Sequence, residues 1–316
     1  MTVAYLAGFH EPEPHHVPVA VVAQNEQATQ AADQIQTALG DRIDVKVYPS
    51  QTLAEDAIKR LDVAGAYIPG KDGGQLLTAP AYSETLNTVV VKMFSAVSEK
   101  THTPITIHEV VPLNEHDTAG QNAFFFLVVL SVSAYSLGIA IAVAGNSYSY
   151  RRRVGLMVPL GLLVATVDFL FARFAMNMFQ GDEWATWLIA VLYMLIVLSV
   201  TIGLHPIVRR WSTLTFSAIF VALNFTSSGG VFEPVLQPAF FGWLHNFWIG
   251  SGFIQALRQT QYFPGADSAP GFGILAGWTV LAVLILLLGA AWEKTHVLKR
   301  KILSYRAAML EEDVAV

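Results

Sequence analysis

The chain has no cysteine and little charge. The first absence excludes cysteine-ligated zinc, iron–sulfur clusters, thiol nucleophiles and disulfide scaffolds. The second is as restrictive. Asp, Glu, Lys and Arg make up 14% of the 316 residues, where a water-soluble domain carries about 25%. With 53% hydrophobic residues and a mean hydropathy of +0.47, such a chain is neither a soluble enzyme nor a disordered one. The scarcity is also uneven. Residues 1–122 hold seven basic and fifteen acidic side chains, and residues 123–316 hold twelve and nine. An acidic, water-facing first part is therefore joined to a membrane part whose few charges are mostly basic.

A helix needs about 20 apolar residues to cross about 30 Å of hydrocarbon. Residues 118–150 contain no Asp, Glu, Lys or Arg, and their centre, Ala123 to Gly145, predicts a first clear span. Further spans are predicted at 155–176, 184–204, 211–228 and 272–292. Segment 229–261 is apolar and aromatic but interrupted by Gly229, Gly230, Pro234 and Pro238. It reads as a re-entrant helical hairpin whose broken backbone needs protein around it, with an ordinary sixth span as the alternative. Short loops rich in Lys and Arg stay in the cytoplasm. Arg151, Arg152, Arg153, Arg209, Arg210, Lys294, Lys299, Arg300, Lys301 and Arg306 all fall on one side, against Arg258 on the other. This places residues 1–122 and the hairpin outside and the tail 293–316 in the cytoplasm.

That orientation requires a polar domain to cross the membrane. Met1–His10 has neither a basic region nor an apolar stretch long enough to drive it. A further span ending near Ala7 is therefore expected, removed by a late start or a truncation, so that five of six spans are present.

The exterior part predicts an α/β domain. A proline-rich stalk, 10–18, leads into a buried strand at 17–23. A helix over 28–39 ends at Gly40, a suitable C-cap. A strand follows at 43–48, then a helix at 52–61 capped by Ser50, a strand at 63–68, a helix at 84–100 opened by Ser83, and a strand at 105–111.

Several motifs lose to plainer readings. Gly65 to Asp72 (GAYIPGKD) begins like a phosphate-binding loop, but Asp72 stands where Ser or Thr must hold magnesium, and Pro69 lacks an N–H. A strand-to-turn junction is the better reading. His10, His15 and His16 with Glu11 and Glu13 read as a solvated linker rather than a metal site. No catalytic constellation is present, and no cofactor, metal or nucleic acid is implied. Asp168 and Arg173 are ionisable residues within a span, and an intramembrane charge is a functional candidate by default. The plainer alternative for Asp168 is a structural hydrogen bond to a neighbouring helix. Gly273 and Gly277 have the spacing that permits close helix packing.

Taken together, Pro18-Val-Ala-Val-Val22, Ala64-Gly-Ala-Tyr-Ile-Pro-Gly-Lys-Asp72, Val111-Pro-Leu-Asn114 with Asp117 and Gly120, and Ser227-Ser228-Gly229-Gly230 with Glu233 and Pro234 resemble the membrane subunit of type-2 ABC exporters, in the branch that includes the phage infection protein family. The resemblance covers nearly the whole chain apart from the absent first helix. It implies a polytopic α-helical fold with a re-entrant hairpin and an extracellular α/β domain, in the lipid bilayer of a bacterial plasma membrane. It implies a permease that moves a substrate outward when coupled to a separate cytoplasmic ATPase subunit, paired with a second permease subunit as homo- or heterodimer. Tyr148, Tyr150, Arg151, Arg152 and Arg153 then fall in the ATPase-coupling loop. Ser227, Ser228, Gly229, Gly230, Glu233 and Pro234 fall at the helix break and outer gate. The same resemblance admits a surface scaffold or receptor whose exterior domain is the working part.

Overall fold

In the computed structural model the chain is a mixed five-stranded sheet with helices on both faces, joined to an antiparallel bundle of apolar helices. All residues are described except Met1, Glu11, Gln24, Asn25, Lys71, Asp72, Ala315 and Val316, together with the side chains of Thr2, Val3, Gln27, Asn146 and residues 297–314.

The sheet runs β2-β1-β3-β4-β5. Its strands are β1 (Val17–Val22), β2 (Ile43–Tyr48), β3 (Gly65–Ile68), β4 (Gly74–Thr78) and β5 (Ile105–Glu109). β1 pairs parallel with β2 and β3, β4 pairs antiparallel with β3, and β5 pairs parallel with β4. Alternation along β1 divides the core. Val17, Val19 and Val21 meet α2 (Glu26–Leu39) and α4 (Glu84–Thr101), while Ala20 and Val22 meet α3 (Gln51–Lys59). Ser50 and Ser83 cap α3 and α4 by accepting from Leu53 N and Leu86 N, both at 3.3 Å. Gly40 follows α2 at φ +59°, a conformation that costs glycine nothing. β4 is an addition to the strands expected from sequence. Five residues beginning at a glycine carry too little pattern to announce a strand, and pairing with β3 supplies what the pattern lacks.

Among the described residues the bundle contains four stretches apolar and long enough to cross a membrane: Asn122–Ala144, Tyr150–Ala175, Glu183–Ser227 and Ala269–His296. They include α5 (Asn122–Ala144), α6 (Tyr150–Leu170), continued by a π-helical turn at Phe171–Ala175, α7 (Glu183–Val208) and α12 (Ala269–Val314). The third stretch is bent back on itself. Its backbone breaks at Arg209, φ +45°, and resumes as α8 (Ser212–Ser217), a π-helical segment Ala218–Leu223, and α9 (Asn224–Ser227). Asn224 Nδ2 donates to Tyr193 Oη at 2.8 Å, whereas 31 residues of straight helix would separate them by about 46 Å. The stretch therefore makes two antiparallel passes.

Backbones cross closely where glycine allows it. A Cβ on Gly203 would lie 2.7 Å from Ile285 Cγ2, one on Gly289 2.4 Å from Gly203 O, and one on Gly138 2.7 Å from Thr201 Cβ. Gly273 and Gly277, the pair with packing spacing, face open space within this chain. A short helix, α1 (Thr2–Phe9), lies against α9 and the break that follows it, with Gly8 opposite Thr226 and Phe9 against Phe232.

The returning segment joins the two halves. After a 3-10 turn at Pro234–Leu236 come α10 (Ala239–His245) and α11 (Ile249–Tyr262). Leu236 is buried in the sheet-domain core beside α2 and α4, and Phe263 in the core beside α3. α3 is joined on that face by chain from the bundle, so the α/β layer is completed by the membrane half.

Candidate functional site

The helix break at Ser227–Pro234 gathers more buried polar contacts than any single motif suggests. Gly229 sits at φ +75°, and a Cβ there would meet His245 Cε1 at 2.7 Å. Ser228 Oγ donates to Phe225 O and accepts from Gly230 N at 3.1 Å, so the hydroxyl satisfies groups freed where the helix stops. Ser227 O accepts from His245 Nδ1 at 3.0 Å, which assigns the ring proton to that nitrogen. Nε2 is then free to accept from Gln255 Nε2 at 2.9 Å, consistent with a neutral ring.

Glu233 and Arg258 form the centre of this region. Arg258 Nη1 donates to Glu233 Oε1 at 2.7 Å and Nη2 to Gly229 O at 3.1 Å. The side chains are 11% and 5% exposed for Arg258 and Glu233 respectively, so the pair is desolvated. The guanidinium also lies 5.3 Å from the centre of the Tyr82 ring, on the sheet domain. Burial raises the Tyr82 phenol well above its ordinary range, and it stays neutral. One arginine thus ties together the helix break, α11 and the sheet domain. Around it opens a chamber of about 310 Å3, lined also by Arg60, His245, Gln255 and Asp267.

Neighbouring contacts extend the clamp. Thr85 Oγ1 donates to Val231 O at 2.6 Å and His15 N to Val235 O at 2.8 Å. Gln237 Nε2 donates to Thr226 O at 2.8 Å and to Gly8 O at 3.3 Å. Pro234 opens the 3-10 turn that carries Leu236 into the sheet domain.

A second polar cluster lies inside the bundle. Tyr193 of α7 is fully buried. Its hydroxyl lies 2.7 Å from Ser131 Oγ on α5 and accepts from Asn224 Nδ2. Nothing in the local sequence marks Tyr193 or Ser131. Their meeting depends on the fold-back of α8 and α9 against α7.

Asp168 and Arg173 do not pair. Arg173 binds Glu183 at 2.6 Å across the α6–α7 turn. One Asp168 oxygen, Oδ2, is buried without a partner. Asp168 thus keeps an unmet oxygen inside the bundle. A π-helical turn with Met176 N bonded to Phe171 O follows it directly.

The loop 145–153 divides. Tyr148, Arg151 and Arg152 are exposed. Tyr150 donates to Leu286 O at 2.8 Å. Arg153 is buried and bonded to Glu293 of α12. Arg153 and Tyr150 therefore fasten α6 to α12, which leaves the other three to meet anything outside the chain.

In the stalk, His16 Nδ1 is 3.0 Å from Asp44 Oδ1, a contact that raises the histidine pKa, and Glu11 lies outside the described residues. Among the described residues no cluster of three His, Asp or Glu side chains could hold a metal ion. Gly65–Ile68 of the phosphate-loop-like stretch is strand β3, and Lys71 and Asp72 lie outside the described residues. No protein-family profile, curated protein sequence or solved structure matches this chain.

Proposed function

We propose that the chain is the membrane-spanning permease subunit of an ABC-type exporter, moving a substrate out of the cell when a separate cytoplasmic ATPase subunit drives it. The observation that carries this reading is the broken helix. A pass of the bundle stops at Gly229, and the returning segment is held between bundle and sheet domain by the Glu233–Arg258 pair. Such a hinge transmits motion of the passes to the face they open on. At the other end of the same bundle, exposed Tyr148, Arg151 and Arg152 stand on a turn fastened to α12 through Arg153, a rigid lever for a docked ATPase. The open face bearing Gly273 and Gly277 on α12 suits a second permease subunit. Lys/Arg bias puts the arginine end in the cytoplasm and the sheet domain outside the plasma membrane.

The test is co-purification of the full chain from its native membrane. An ATPase carrying a phosphate-binding loop is expected to copurify and to be lost on Arg151→Glu with Arg152→Glu, with thermal stability unchanged. If no ATPase copurifies, and the substitutions change neither assembly nor any transport phenotype, the reading fails.

The scaffold or receptor reading has one observation in its favour. β5 is an edge strand whose residues are mostly exposed, including Ile107, and the opposite edge exposes Val47. Unpaired edges of this kind accept an added strand. Loss of phenotype on Ile107→Lys, with none on the arginine substitutions, favours it.

A further inference from the structure

At the end of the bundle away from the sheet domain, α5, α6, α7 and α12 surround a cavity of about 550 Å3, within the range of about 300–1,000 Å3 typical of small-molecule sites. Its wall holds Arg153, Arg209 and Arg210 against the carboxylate of Glu293, with His205 and His296 completing it. Three arginines and one carboxylate among the lining residues leave an excess of positive charge around a half-enclosed space.

The cavity is built as a site. The Arg153 side chain is 5% exposed, and although it binds Glu293, its Nε is buried with no partner. The histidines add acceptors to the wall rather than donors. Ser212 Oγ donates to Arg209 O, and so accepts from His205 Nδ1 at 2.8 Å. His296 Nδ1 lies 2.9 Å from Trp292 O, which can only accept. Both ring protons therefore sit on Nδ1, and both Nε2 atoms are left as acceptors, suited to a hydroxyl of the occupant and not to its phosphate oxygens. The arginine-bearing turn is held in an unusual shape, with Arg209 at φ +45° and Arg210 stacked 5.5 Å from the centre of the Trp211 ring.

The position identifies the occupant. This plane is where α5 and α7 end, where α6 and α8 begin, and where α12 leaves its apolar stretch. Exposed Tyr148, Trp211 and Trp292 lie in it, as aromatic side chains do at the level of lipid headgroups. We infer that the cavity is a binding site for the phosphate of an anionic phospholipid headgroup, with Arg153, Arg209 and Arg210 as its donors. This rests on the chain lying in a bilayer and not on the exporter reading, so an ATPase partner has no bearing on it.

The test uses the full chain in detergent, with native mass spectrometry counting retained lipid after exposure to equal phosphatidylglycerol and phosphatidylcholine. The wild type is expected to retain phosphatidylglycerol at least tenfold better. Arg209→Gln with Arg210→Gln, both on an exposed turn, should erase that preference. Arg151→Gln with Arg152→Gln removes the same charge outside the cavity and should leave it. Arg153→Gln is not relied on, because it strands Glu293. Equal retention of the two lipids overturns the inference. So does a preference that survives Arg209→Gln/Arg210→Gln, or falls equally in both double variants. Binding of inorganic phosphate without any preference for phosphatidylglycerol likewise contradicts a lipid site.

Discussion

Replacing Arg258 by leucine tests how the two halves are held together. The substitution keeps an apolar side chain against Tyr82 but leaves the Glu233 carboxylate, 5% exposed, without its cation, and Gly229 O without a donor. Removing one member of a buried ion pair costs about 3–5 kcal/mol, because the remaining charge is stranded in a medium that solvates it poorly. Large domains lose about 2 °C of melting temperature per kcal/mol, so Arg258→Leu should melt about 6–10 °C below wild type. The assay is intrinsic-fluorescence melting of the full chain in mild detergent. Replacing both residues, Glu233→Leu with Arg258→Leu, should recover most of the loss, since paired apolar groups restore a neutral interior. Proteolysis in the 229–238 segment should follow the same order: fast in the single variant, slow in wild type and in the double. A single variant melting within 1 °C of wild type, or a double variant worse than either single, would refute the view that charge pairing holds the break against the sheet domain.

Single sites elsewhere give sharper tests. Gly229→Ala should cost about 2 kcal/mol or more by melting, combining the left-handed backbone at φ +75° with a Cβ 2.7 Å from His245 Cε1; a loss below 0.5 kcal/mol contradicts it. Tyr193→Phe should cost about 1 kcal/mol, because Ser131 keeps Leu127 O and Asn224 keeps Ser131 Oγ when the phenol hydroxyl is gone. Burial raises the pKa of Asp117 above its ordinary value, partly opposed by N–H donors from Asn122, Gln121 and Gly120. A raised folded pKa means its contribution is present below the unfolded value and is lost as pH rises through the folded one. The stability difference between wild type and Asp117→Asn should therefore shift against wild type as pH rises from 3.8 through the raised value; a difference independent of pH contradicts this. Asp168→Asn should raise thermal stability, since it replaces an ionisable group that has a buried, unpartnered oxygen in an apolar helix by a neutral one. A drop in transport alongside that gain marks Asp168 as functional.

Local signals carried much of the architecture. Ser50, Ser83 and Gly40 stand where helices start and stop because capping is decided within a few residues. The glycines and proline of 229–234 announced the helix break for the same reason. What stayed hidden depends on long-range meetings. Gly203 and Gly289 make the close crossing of α7 and α12, while the properly spaced Gly273 and Gly277 face outward, because spacing does not say which face finds a neighbour. Arg153 looked like one of three loop arginines, and its burial depends on Glu293, 140 residues away. Arg258 stood out only as a lone cation until Glu233, Gly229 and Tyr82 closed around it. Completion of the sheet-domain cores by Leu236 and Phe263 is equally invisible to a local pattern.

For the chain to work as proposed, the sheet domain and the arginine end must lie on opposite faces of the membrane, with the arginines inside. Because the chain has no cysteine, single introduced thiols report on this directly. Val47 on the sheet domain and Arg151 at the opposite end are both exposed positions, so Val47→Cys and Arg151→Cys each present a thiol to solvent. With a membrane-impermeant maleimide applied to intact cells, the Val47→Cys variant is expected to label at once. The Arg151→Cys variant is expected to label only after permeabilisation. Labelling of both variants from outside, or of the Arg151→Cys variant alone, would contradict this orientation.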